Sequence, residues 1–190
     1  MVEGVFADAQ SAMERGDWDA FFRCLDRRSL LKIAKNSFQG IVNSDIDQDM
    51  LNRHGISIEV IQRIRATWQS LAMSAAEVVG TIDPGAKTQK SLDHKQAVDA
   101  YDKYLDDTLE SVADLPGFTA TLERAMRASL GGGSVAADMF IGETLQDIAI
   151  TGKTAWAMRR IEGGYSEDLK FVQQQGQWRI QLLARGRRRG

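Results

Sequence analysis

The chain has 190 residues, 43% apolar and 26% charged, enough for one domain that buries roughly two-thirds of its unfolded surface and too apolar for a disordered chain. No apolar run approaches the ~20 residues needed to cross a bilayer, so no membrane span is expected. The net charge is −2, and Arg185, Arg187, Arg188 and Arg189 contribute four positive charges at one end. The body therefore stands at −6, which argues against the broad basic footprint of a nucleic-acid binder.

The opening Met1-Val2-Glu3-Gly4-Val5-Phe6 has no basic stretch leading into an apolar one, so no secretory signal is expected. Val2, Val5, Phe6, Ala9, Ala12 and Met13 recur at helical spacing, and Gly16 ends that helix. Asp17 can cap a second helix with Trp18, Phe21, Phe22 and Leu25 on one face. The single cysteine, Cys24, lies in this apolar setting and reads as a buried small hydrophobe rather than a catalytic thiolate. With no partner for a disulfide, a reduced cytoplasm is the expected setting. Ser29 is the expected cap of a third helix carrying Leu30, Ile33, Ala34, Phe38, Ile41 and Val42.

Asp45 to Arg53 reads as a short polar helix or turn, stopped near Gly55. Ser57 opens the most regular helix, with Val60, Ile61, Ile64, Trp68, Leu71, Ala72, Ala75 and Val79 inward and Gly80 at its end. Asp83-Pro84-Gly85 reads as a turn, followed from about Ser91 by a helix with Val98, Tyr101, Leu105, Leu109 and Val112 inward. Pro116-Gly117 breaks it. Phe118, Leu122, Ala125, Met126 and Leu130 mark a last helix, closed by Gly131-Gly132-Gly133.

The period then shortens to two. Leu145, Ile148 and Ile150 form a β-like run ending at Gly152, and Lys153 to Glu162 reads as a strand with Gly163-Gly164 as its turn. Leu169 and Phe171 alternate with Lys170. After Gln175-Gly176, Trp178, Ile180 and Leu182 alternate with Arg179 and Gln181. This is an antiparallel meander whose apolar face needs helices to cover it, so Phe171, Trp178 and Ile180 are expected to face them and be buried.

Several chemical motifs fail on inspection. Gly152-Lys153-Thr154 resembles the end of a phosphate loop, but Asp147 stands where that loop needs glycine and a strand follows. Asp45, Asp47 and Asp49 have calcium-loop spacing, yet Met50 and Ile56 occupy the required glycine and glutamate positions. His54 and His94 lack ligand spacing and read as surface residues, and Asp99, Asp102 and Asp106 read as a solvated helix face. Gly131-Gly132-Gly133-Ser134 lies at a helix C-terminus, where the dipole disfavours an anion, and reads as a linker. No metal or cofactor is implied.

The stretch Asp168-Leu169-Lys170-Phe171-Val172-Gln173-Gln174-Gln175-Gly176-Gln177-Trp178-Arg179-Ile180-Gln181-Leu182 resembles the closing hairpin of the nuclear-transport-factor-two-like, or ketosteroid-isomerase-like, superfamily: an apolar strand, a glycine turn, then Trp-Arg-Ile. The opening helix followed by Gly16-Asp17-Trp18-Asp19-Ala20-Phe21-Phe22 resembles the front of such domains, and the two stretches together span about a third of the chain. The helical middle, about 44–130, is larger than the family's usual centre. The resemblance implies a cone-like α+β fold that encloses a cavity. The family's isomerases and dehydratases use Asp, His or Tyr in the cone. No such set matches here residue by residue, so no catalytic residue is carried over.

The expected architecture is one α+β domain over 1–184, its helix-rich N-terminal two-thirds packed on a C-terminal antiparallel meander. An extended helical layer or insertion fills 44–130, the sheet fills 134–184, and 185–190 form a basic flexible tail. The functional expectation is a non-catalytic accessory domain that binds a protein partner or a small apolar or amphipathic ligand, with a homodimer allowed. A ligand pocket would be lined by Trp156, Met158, Phe171, Trp178, Trp18 and Phe22, with Arg160 at the rim favouring an anionic amphipathic ligand. Two alternatives stand beside it. One is a small-molecule enzyme of isomerase or dehydratase type using dispersed groups such as Asp138, Asp147, Tyr165 and Glu167; the other is weak nucleic-acid binding through Arg185, Arg187, Arg188 and Arg189.

Overall fold

The structure, a computed structural model, describes residues 1–42, 47–129, 139–160, 164 and 166–182. It is α+β, with helices α1 (Val2–Glu14), α2 (Trp18–Arg23), α3 (Arg27–Ile41), α4 (Gln48–Arg53), α5 (Ile58–Gly80), α6 (Pro84–Glu110) and α7 (Leu115–Ser129). Strands β1 (Thr144–Thr151), β2 (Thr154–Arg160), β3 (Ser166–Gln174) and β4 (Gln177–Gln181) follow, as one antiparallel meander in the order β1-β2-β3-β4. The chain divides into two compact units, Met1–Ala34 with Pro116–Gly190, and Lys35–Leu115. Among the described residues no helix is long and apolar enough to cross a membrane. Asp45, Leu130, the 131–134 linker, Asp138, Gly163, Tyr165 and the arginine tail lie outside the described residues.

In the first unit, Val2, Val5, Phe6, Ala9, Ala12 and Met13 are all buried, as a 3.6-residue period on one helix face requires. The Asp17 carboxylate accepts from the Ala20 amide at 3.1 Å and starts α2. The cap of α3 is Asp26 rather than Ser29: its Oδ1 accepts from the Ser29 amide at 3.0 Å, and the helix begins at Arg27, three residues earlier than a Ser29 cap would start it. Ser29 is free for another task, and its Oγ accepts from the Leu182 amide at 3.0 Å. Gln175 and Gly176 both have positive φ, 51° and 80°, the geometry that lets two residues join strands without splaying them.

The run before Gly152 is a full strand, so the meander has four strands. Phe171 pairs with Ala155 and Ile180, and all three are 0% exposed. Trp178 pairs with Gln173 on the same face but is only half-buried, short of the burial expected from alternation, because it sits one pair from the end of the sheet.

In the second unit, α6 begins at Pro84, not near Ser91. Proline is well suited to the first helical position because its missing N–H would have no partner there, and the Asp83 carboxylate caps the Gly85 amide at 2.9 Å. Ile61, Ile64 and Leu71 of α5 and Tyr101, Leu105 and Leu109 of α6 are buried. Trp68 and Val79, expected inward, are 44% and 81% exposed.

Replacing Phe171 with alanine removes a fully buried ring from this sheet and is expected to cost about 3–5 kcal/mol in urea unfolding. Trp178→Ala should cost clearly less. Equal losses would mean that both rings share one closed core.

Candidate functional site

The sheet of the first unit has two unlike faces, because opposed residues in an antiparallel pair share a face. The core face carries Ala155, Ala157, Leu169, Phe171 and Ile180, all buried. Two alanines at its centre leave room for large rings. Phe6, Phe21, Phe22 and Phe140 are 0–4% exposed, with ring centroids at 5.1 Å for Phe6–Phe140 and 5.4 Å for Phe21–Phe22. Trp18 joins this cluster at 6.1 Å from Phe22, and the Arg127 guanidinium lies 4.0 Å from its ring centroid. Arg127 is held in turn by Glu123 at 3.0 Å.

The opposite face carries Trp156, Met158, Arg160, Lys170, Val172 and Arg179. Register sets it: Trp156 faces Lys170, Met158 faces Asp168 and Gln146, and Val172 faces Thr154 and Arg179. None of these side chains is buried. The Lys170 ammonium lies 5.6 Å from the Trp156 ring centroid.

The seven expected pocket residues are therefore not brought together. Phe171, Trp178, Trp18 and Phe22 belong to the core side, whereas Trp156, Met158 and Arg160 lie on the other face. The physical reason is the two-residue period. Trp156 is an even number of residues from Met158 and Arg160 but is paired with Lys170, not Phe171, so one step of register separates the two sets.

Sequence reasoning missed a polar cluster at the end of the core face. The Arg159 guanidinium meets Glu143 at 3.3 Å and Glu167 at 2.7 Å, and lies 5.3 Å from the Phe140 ring centroid. The Glu143 side chain is 7% exposed, and burial raises its pKa above the usual 4.5 while Arg159 works in the opposite sense. The Gln10 amide donates to the carbonyls of Phe140 and Glu143, both at 2.8 Å, and so ties α1 to the segment leading into β1. Glu167, one of the dispersed acid–base candidates, is engaged here with Arg159; Asp147 is exposed, with φ 52°, where the β1–β2 register shifts.

In the second unit the acidic face of α6 is not simply solvated. Lys35 reaches Asp102 at 3.3 Å and Asp106 at 3.0 Å. Both histidines are half-buried rather than on the open surface, and burial lowers the His54 pKa below 6.5. His94 Nδ1 lies 2.7 Å from Ser74 Oγ. The Ser74 hydroxyl is also within hydrogen-bond reach of the Leu71 carbonyl, at 2.9 Å. The contact joins α5 to α6. Among the described residues no cluster of His, Cys, Asp or Glu could hold a metal ion.

Comparison with protein-family models, with curated proteins and with solved structures found no match.

Two outcomes follow from these environments. Cys24 is 7% exposed, and burial, with Asp8 adding to it, pushes its thiol up to about 11. A disulfide reagent at pH 8 should therefore label it only as fast as the protein opens; immediate labelling would show an accessible thiolate. Glu143 binds its proton more tightly folded than unfolded, so its contribution to stability is full below pH 4.5 and is lost as pH rises through the folded value. Above pH 4.5 the urea midpoint of Glu143→Gln should lose this downward slope. Identical pH profiles for the two proteins would refute the raised pKa.

Proposed function

We propose that the protein is a non-catalytic binding module whose partner, an anionic amphipathic segment of another protein, docks on the Trp156 face of the sheet. The observation that carries this reading is the composition of that face. Trp156 and Met158 lie next along β2, Val172 is the diagonal neighbour of Trp156 on β3, and Lys170, Arg179 and Arg160 border them, with Asp168 the one carboxylate paired on this face among the described residues. A half-exposed tryptophan with a methionine supplies rigid and adaptable apolar contact, and the cations around it favour an acidic partner. The register puts Trp156, Met158 and Arg160 on one face and Phe171 and Trp178 on the other, which favours a docking surface over a pocket lined by all seven. Membership of the nuclear-transport-factor-two-like superfamily is part of the proposal, supported by helices that precede an antiparallel sheet and by the β3–β4 hairpin. A cytoplasmic setting is proposed on the single, buried, free cysteine.

A second reading, an isomerase- or dehydratase-like enzyme, is favoured by one observation, the buried carboxyl of Glu143 with its raised pKa. Against it, that carboxyl faces Arg159, which also holds Glu167.

Selection of short displayed peptides tests the first reading. The intact protein should enrich sequences in which Asp or Glu flanks aromatic or aliphatic residues, and Trp156→Ala should lose them. Equal enrichment on the Trp156→Ala variant would overturn it.

A further inference from the structure

The helical hairpin of the second unit carries an apolar seam that its own fold leaves open. From Ala72 to Ala100 no residue of α5 or α6 is buried. Within α5, Trp68, Ala72, Ala75 and Val79 recur at steps of four, three and four residues, and Ile82 follows three further on. That spacing is the seam of a helix built to pack along another helix. Trp68 is 44% exposed, Val79 81% and Ile82 96%. α6 lies along the neighbouring side of α5, where Ser74 meets His94, and the Tyr101 ring lies 5.8 Å from that of Trp68 between centroids.

We infer that the α5 seam is the interface of a homodimer, in which α5 packs antiparallel on α5 of a second copy about a two-fold axis near Ala72 and Ala75. Two features select a second copy as the occupant. The first is charge. From Ala66 to Ile82 the one charged residue is Glu77, and it is engaged by Lys90 at 3.7 Å. A chain of net charge −2 meets little repulsion there, and the seam offers nothing for a charged partner to recognise. The second is self-complementarity. An axis between Ala72 and Ala75 lets two backbones approach closely over small side chains and sets each Trp68 against the partner's Val79, large against medium, as an isologous contact requires. A single pair of helices buries less than the about 800 Å² per partner of a standard interface, so the dimer is expected in the micromolar range.

Sedimentation equilibrium on the full chain, from about 1 to about 200 µM, tests this inference across the expected range. The wild-type protein should form a dimer. Val79→Glu, at an exposed seam position, should raise Kd by about tenfold or more with unchanged helical circular dichroism. Met73→Glu, 68% exposed but off the seam, should dimerise like wild type. A wild-type monomer throughout, a dimer that Val79→Glu leaves intact, or equal loss in Met73→Glu would each overturn the proposal.

Discussion

The first unit depends on a short stitch between its two ends. The Ile180 amide donates to the Cys24 carbonyl and the Asp26 amide to the Ile180 carbonyl, both at 2.8 Å, so Leu25 bridges in parallel to β4. Gln181 donates to Asp26 across 155 residues of sequence, and Leu182 to Ser29. The edge strand would otherwise present unpaired groups to other chains; here the elbow between α2 and α3 closes it. The same contacts give Asp26, 1% exposed, the donors that a buried carboxylate requires. At the other edge, among the described residues no further strand pairs with β1. The register shift at Asp147 interrupts it instead, which is a common way to blunt a free strand.

Once β4 is fixed in register, the character of each face follows. Ile180 opposite Phe171, and Phe171 opposite Ala155, commit one face to aromatic packing and leave Trp156, Met158 and the cations on the other. The alanines of β2 matter as much as the rings. Ala155 and Ala157 are 0% and 2% exposed, so larger residues at these positions would overpack the buried face. Phe140 is held at positive φ, 70°, and Gln10 and the Glu143–Arg159 pair anchor the backbone from its own carbonyl to Glu143.

The second unit follows a different principle. Its long hairpin is joined by contacts local in sequence, and each helix buries one stripe near its base. The apolar content of α5 continues past the point where cover ends. Such a surface draws neither on a sheet nor on charge, and it can be satisfied by one more helix.

Sequence alone determined what depends on neighbours a few residues away. The apolar stripe of α1, the Asp17 cap, the helix from Ser57 to Gly80 and the turn at Gln175-Gly176 were all legible, because periodicity and capping are local. Local signals also misled where two readings compete within a few residues, as with Asp26 and Ser29 for one cap, or proline as a turn and as a first helical residue. What only the tertiary structure decided was the pairing of distant residues. Alternation showed that Trp156 and Met158 share a side and that Trp178 and Ile180 share a side, but not that these sides are opposite; strand register fixed that. Glu143 was invisible as a buried carboxyl because its burial and its partner Arg159 arise from β1–β2 pairing. Exposure of Val79 was equally illegible: an apolar helix stripe states that it needs a partner, and only the fold shows whether the chain itself supplies one.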